Sequence, residues 1–99
     1  QYRTHGAGVF LERIGSFARV VARKRIPLVI CLYFHPWEFL AMPQGLIHYG
    51  EGAVLPDNFL VKNCGAVALR ELGKAIDGLR KAYDTRFLTA QDLAAEWDA

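Results

Sequence analysis

Seven apolar residues in unbroken succession, Leu-Val-Ile-Cys-Leu-Tyr-Phe at 28–34, constrain this chain more than any other feature. A strand with one wet face alternates apolar and polar residues. A continuous β-branched and aromatic run predicts instead a strand buried on both faces, as in parallel sheets covered by helices. Pro27 opens the run, and the residue before a proline is pushed out of the α region, so any preceding helix stops near Ile26. The whole apolar stretch, 26–34, is far shorter than the roughly 20 residues of a membrane-crossing helix, and no membrane span is expected.

The flanks predict what covers such a strand. Over 9–25, Phe10, Ile14, Phe17 and Val21 fall on one stripe of an amphipathic helix. After His35 comes a long stretch punctuated by Pro36, Pro43, Gly45, Gly50, Gly52 and Pro56, too rich in breakers for a regular element; loops of that length are functional or lid-like. A second helix is expected over 64–83, with Leu69, Leu72, Ile76, Leu79 and Tyr83 on one face and Asn63 as its N-cap. Residues 86–88 read as a short strand. Thr89 then caps a last helix through Asp92, with Leu93 and Trp97 one turn apart on its inner face.

The expected order is helix, buried strand, long loop, helix, short strand, helix, an α/β fold of βα units with a parallel sheet. Two parallel strands leave unpaired edges and do not make a stable sheet. Either the single fragment 1–99 is part of a larger fold, or it completes its sheet with another copy or another chain. The opening Gln-Tyr-Arg, with no initiator Met, is read as the start of a cut-out. No signal-peptide pattern is visible there, and the compartment stays open.

Composition sets further bounds. At 53% hydrophobic and 22% charged, the chain belongs with sequences that fold. A net charge of +2 is too small to argue for nucleic acid. The cluster Arg23, Lys24 and Arg25 sits where a helix ends and complements its dipole. Cys31, inside the apolar run, is expected to be a buried thiol, and Cys64 has no framework around it.

Chemistry points to residues 35–39, His-Pro-Trp-Glu-Phe, directly after the apolar strand, where parallel sheets and barrels build their sites. The imidazole of His35 can give or take a proton near neutral pH. Trp37 offers a flat apolar wall on which a sugar ring or acyl group rests. The alternative is a hydrogen-bonded structural histidine at a strand end. His5, His35 and His48 form no H-x-x-x-H or H-E-x-x-H pair, so no metal site is expected from this chain alone. Ser16, the only serine, lies within the first helix and has no nucleophile motif around it. Lys62 and Asn63 either reach a substrate from the loop or serve the helix start, and Tyr49 and Phe59 are read as loop anchors.

The run Pro-Leu-Val-Ile-Cys-Leu-Tyr-Phe-His-Pro-Trp-Glu-Phe at 27–39, Met-Pro at 42–43, Lys-Asn-Cys-Gly at 62–65 and Arg-Phe-Leu-Thr-Ala-Gln-Asp-Leu-Ala-Ala-Glu-Trp at 86–97 resemble the C-terminal part of polysaccharide deacetylases, over about residues 8–98. The resemblance implies the C-terminal portion of an incomplete (β/α) barrel from a metal-dependent hydrolase that removes N-acetyl groups from sugars; allantoinase-like amide hydrolysis lies within the same superfamily. It implies His35 as the general acid for the leaving amine, Trp37 as the border of the acetyl pocket and Glu38 beside it as a substrate-binding residue. Zinc or another divalent metal is implied for the parent enzyme, held like the catalytic base by residues this sequence lacks, so the chain alone is expected to be inactive. Its expected partners are the rest of the barrel or another copy of itself.

Overall fold

Two amphipathic helices of 17 residues carry the architecture, packed against each other on the stripes that their sequences encode. The computed structural model describes residues 2–43 and 45–97. Asp98, the last residue of the span that carries the resemblance, lies outside the described residues, as does Gln1 of the opening tripeptide. Among the described residues the helices are α1 (Tyr2–His5), α2 (Ala7–Arg23), α3 (Asn58–Val61), α4 (Ala66–Ala82) and α5 (Ala90–Trp97), with a 3-10 turn at Pro36–Phe39. The strands β1 (Ile47–Tyr49) and β2 (Gly52–Val54) form an antiparallel hairpin in the register Ile47–Val54, His48–Ala53 and Tyr49–Gly52. The architecture is therefore mixed helix and sheet.

The core lies where α1, α2 and α4 meet. Tyr2, Ala7, Phe10, Ala75 and Leu79 are buried there, with Leu11, Ile14 and Leu72 at its margin. Two of those five buried residues are alanines, which bury little apolar area, so the core is small. A polar tie joins the same helices: the Ala7 N–H at the start of α2 donates to Glu71 Oε2 at 3.0 Å. That bond, strengthened by Lys74 nearby, holds the Glu71 carboxyl below its usual range. Not all of the expected stripe is covered, since Phe17 on α2 and Leu69 on α4 face solvent.

The end of α2 follows from backbone geometry. Ile26 N–H bonds Val21 O at 3.2 Å and Arg25 N–H bonds Ala22 O at 3.1 Å, a Schellman closure with Arg25 in the left-handed region at φ 55°. Pro27 then sends the chain into 28–34.

That segment corrects the expectation built on it. It is extended, yet pairs with no strand among the described residues. Nor is it buried on both faces. Leu28, Ile30, Leu32 and Phe34 are half-buried, the last three packed on the core, whereas Val29, Cys31 and Tyr33 are exposed. Cys31 is thus a surface thiol and not a buried one. The residues are apolar on both faces, but these helices cover only one.

The stretch after His35 is also more regular than its breakers suggested, since it holds the 3-10 turn, the hairpin and α3. Tyr49 and Phe59 are exposed and do not anchor it. Asn63 does not cap α4: it sits at φ 59° and its side-chain amide donates to Arg3 O, while Gly65 occupies the cap. Residues 86–88 form no strand; Arg86 instead pairs with Glu96 of α5. Thr89 does cap α5, accepting from Asp92 N–H at 3.1 Å, with Leu93 half-buried but Trp97 exposed.

Candidate functional site

His35 leaves the extended segment and opens the 3-10 turn. Its backbone N–H donates to Glu38 Oε2 at 2.6 Å, so the third residue of the turn folds back on the residue that starts it. Pro36 suits this position, because it brings a preset φ and no N–H where the turn has no acceptor for one. The His35 side chain is half exposed. Its ring stacks on Trp37 with centroids 5.5 Å apart and planes inclined by 22°.

The two imidazole nitrogens have different neighbours. Nε2 lies 3.3 Å from the Tyr33 hydroxyl, within hydrogen-bond reach. Nδ1 lies 4.0 Å from Glu38 Oε2, too far for a hydrogen bond.

Glu38 is held more tightly than its neighbours in the motif, its side chain being only 13% exposed. Oε1 accepts from Arg3 Nε at 3.1 Å, Oε2 serves the His35 N–H, and its backbone carbonyl accepts from Gly65 N–H at 2.9 Å. Gly65 is required for this approach: it sits at φ 82°, and a Cβ there would lie 3.1 Å from the backbone nitrogen of Ala41. Both carboxylate oxygens are thus already engaged by the protein's own donors, and Glu38 has only its remaining lone pairs to offer a ligand.

Arg3, which sequence reasoning did not single out, is 9% exposed and faces this cluster from α1. Besides Glu38, it donates to Leu60 O at 2.9 Å, to Lys62 O, and to Cys64 Sγ at 3.3 Å. Its guanidinium carbon lies 5.8 Å from the Trp37 ring centre. Lys62 therefore enters this network through its carbonyl, and Asn63 through its amide to Arg3 O.

Beside Trp37 runs a shallow, almost wholly apolar groove lined by Met42, Pro56, Asp57, Leu60 and Val61. Asp57 faces it while capping α3, its Oδ1 accepting from Phe59 N–H at 2.8 Å and Leu60 N–H at 3.2 Å. Trp37, His35 and this groove are contiguous at the C-terminal end of the extended segment. Ser16 lies apart on α2, where its hydroxyl donates to Glu12 O.

Among the described residues no three or more His, Cys, Asp or Glu side chains converge as they would to hold a metal ion. Among the described residues no helix is long and apolar enough to cross a membrane. No family model, no curated protein and no solved structure matches the chain.

Proposed function

We propose that the chain supplies the leaving-group side of an amide-hydrolysing site, as the C-terminal portion of a polysaccharide-deacetylase-like (β/α) barrel acting on N-acetylated sugars. The observation that carries this reading is His35 itself. Its imidazole is exposed at the end of an extended segment, stacked on Trp37, with its backbone pinned by Glu38. A general acid needs a proton source that is open to the substrate and fixed in orientation, and this histidine has both properties. Trp37 presents an apolar ring and the neighbouring groove apolar walls, a surface suited to the face of a sugar ring or to an acetyl methyl.

In this reading the protonated His35 hands its Nε2 proton to the departing amine as the C–N bond breaks. The base, the metal and most of the substrate groove come from other residues, and the chain alone is inactive. The remaining strands of the barrel cover Val29, Cys31 and Tyr33 and pair with both edges of 28–34.

In the full-length protein, His35→Ala and His35→Gln are expected to lower kcat on acetylated sugars by about a hundred- to ten-thousand-fold with KM little changed. Melting temperature should hold within a few degrees. Near-wild-type turnover in a well-folded variant would return His35 to a structural role.

The unpaired edges of 28–34 favour a second reading, a non-catalytic domain that joins its strand to another chain. Stable oligomers with no hydrolytic activity in the full-length protein would select it.

A further inference from the structure

The groove beside His35 has two walls from distant parts of the sequence. One is Trp37, on the 3-10 turn that also carries Glu38; the other is Leu60 and Val61 at the end of α3, which the turn at 62–65 follows. Their direct link is the Glu38 O to Gly65 N–H bond. The other link is a single side chain. We propose that Arg3 is the positioning residue of the His35 site, a guanidinium fork that sets both walls of the groove and, through Glu38, the placement of His35.

The geometry is divided between the nitrogens of the fork. Nε holds Glu38 Oε1, and the other oxygen of that carboxylate holds the His35 N–H. Nη1 holds the carbonyls of Leu60 and Lys62 and touches Cys64 Sγ. The grip is reciprocal, because the Arg3 carbonyl accepts from Asn63 Nδ2 at 3.0 Å. Taking a guanidinium out of water is costly, and here the cost is offset by acceptors on both sides of the groove. A lysine would keep the charge, but its single ammonium could not serve both sides.

Arg3 makes no hydrogen bond to the His35 ring among the described residues, although its guanidinium lies over the Trp37 ring. Its influence on the imidazole runs through Glu38. Without the Arg3 bond the Glu38 carboxylate is free to rotate, the His35 N–H loses a fixed acceptor, and the His35–Trp37 stack loosens. Only the catalytic consequence of this inference rests on the reading of His35 as a general acid; the mechanical claim stands apart from it.

The test is an NMR comparison of the chain with Arg3→Met, Arg3→Lys and Glu38→Gln. A short bond to a carboxylate shifts an amide proton downfield. The His35 amide resonance is expected to lose that shift in Arg3→Met and in Glu38→Gln, while the amides of Ala75 and Leu79 in α4 stay in place. Combining the two substitutions should add nothing at His35, since both act on one contact. Arg3→Lys is expected to restore either the His35 signal or those of residues 60–64, but not both. It also decides the matter if Arg3→Met does not fold. An unmoved His35 amide in a folded Arg3 variant, or full restoration of both sets by lysine, overturns the proposal.

In the full-length protein Arg3→Lys should lower kcat about ten- to a hundredfold and raise KM as well, the signature of an acid and a groove wall displaced together. A wild-type protein without deacetylase activity would refute the reading of His35 and leave the NMR result to judge Arg3.

Discussion

Tyr2 brings a hydroxyl into the core. The residue is 6% exposed, its ring meets Phe34 edge-on at 6.0 Å, and its Oη is buried with no hydrogen-bond partner among the described residues. Burial, and then the nearby Glu38 carboxylate, raise the phenol above its ordinary range. A buried donor without an acceptor costs about 1–3 kcal/mol, and removing the group while keeping the ring relieves that cost. Tyr2→Phe is therefore expected to leave stability unchanged or raise it by about 1 kcal/mol in urea denaturation. A loss of that size would mean that the hydroxyl is satisfied after all. At this scale the sequence was informative only about near neighbours. His35 and Trp37 could be singled out because their motif is contiguous and follows an apolar run. The roles of Arg3 and Glu38 could not, because their pairing spans 35 residues and local periodicity carries no trace of it. A lone arginine near the start of a chain reads as surface charge until something places acceptors around it.

The two long helices show how closely their approach depends on missing side chains. At Gly78 on α4 an added Cβ would lie 2.3 Å from Leu11 Cδ1 and 3.2 Å from its Cγ, whereas at Gly73, on the same helix, it would meet nothing within 4 Å. Alanine in place of an interior helical glycine gains about 1 kcal/mol from propensity alone. Gly73→Ala should realise that gain and raise the melting temperature. Gly78→Ala should lower it, because Leu11 must leave its rotamer or α2 must shift outward, at a cost of about 1–3 kcal/mol. A rise in both would show that α2 and α4 do not approach as closely as described. Both helices were legible from their 3.6-residue stripes, and Thr89 was legible as a cap from its spacing to Asp92. The hairpin was missed for a local reason. Gly50 and Gly52 were counted as breakers, yet Gly50 sits at φ 48° in the link between β1 and β2, where a tight hairpin favours such a residue. Asn63 was misassigned because a good cap residue stood two positions before the real one, and the tertiary bond to Arg3 outweighed the local preference.

The molecule as a whole spreads more than its length requires. Its radius of gyration is 17.5 Å, against about 13 Å for a compact domain of 100 residues. Its accessible surface is 7689 Å², about 2,000 Å² more than the roughly 5,700 Å² typical of a folded monomer of 11.1 kDa. An excess of that size is more than twice the roughly 800 Å² that each partner buries in a standard protein–protein interface, and apolar residues such as Val29, Tyr33, Leu88 and Trp97 contribute to it. The apolar run at 28–34 predicts two-sided burial and the structure shows cover on one face alone, because a sequence cannot say whether its own helices will supply both sides. One consequence concerns susceptibility to cleavage. Proteases take hold of their substrates as extended backbone, which a folded domain ordinarily withholds by pairing its strands. Residues 28–34 already have that shape, unpaired and with Tyr33 80% exposed, so chymotrypsin should nick the folded chain after Tyr33 before it attacks the helices. A first cut within α2 or α4 would contradict this, whereas protection of Tyr33 would report a strand or another chain seated against the segment.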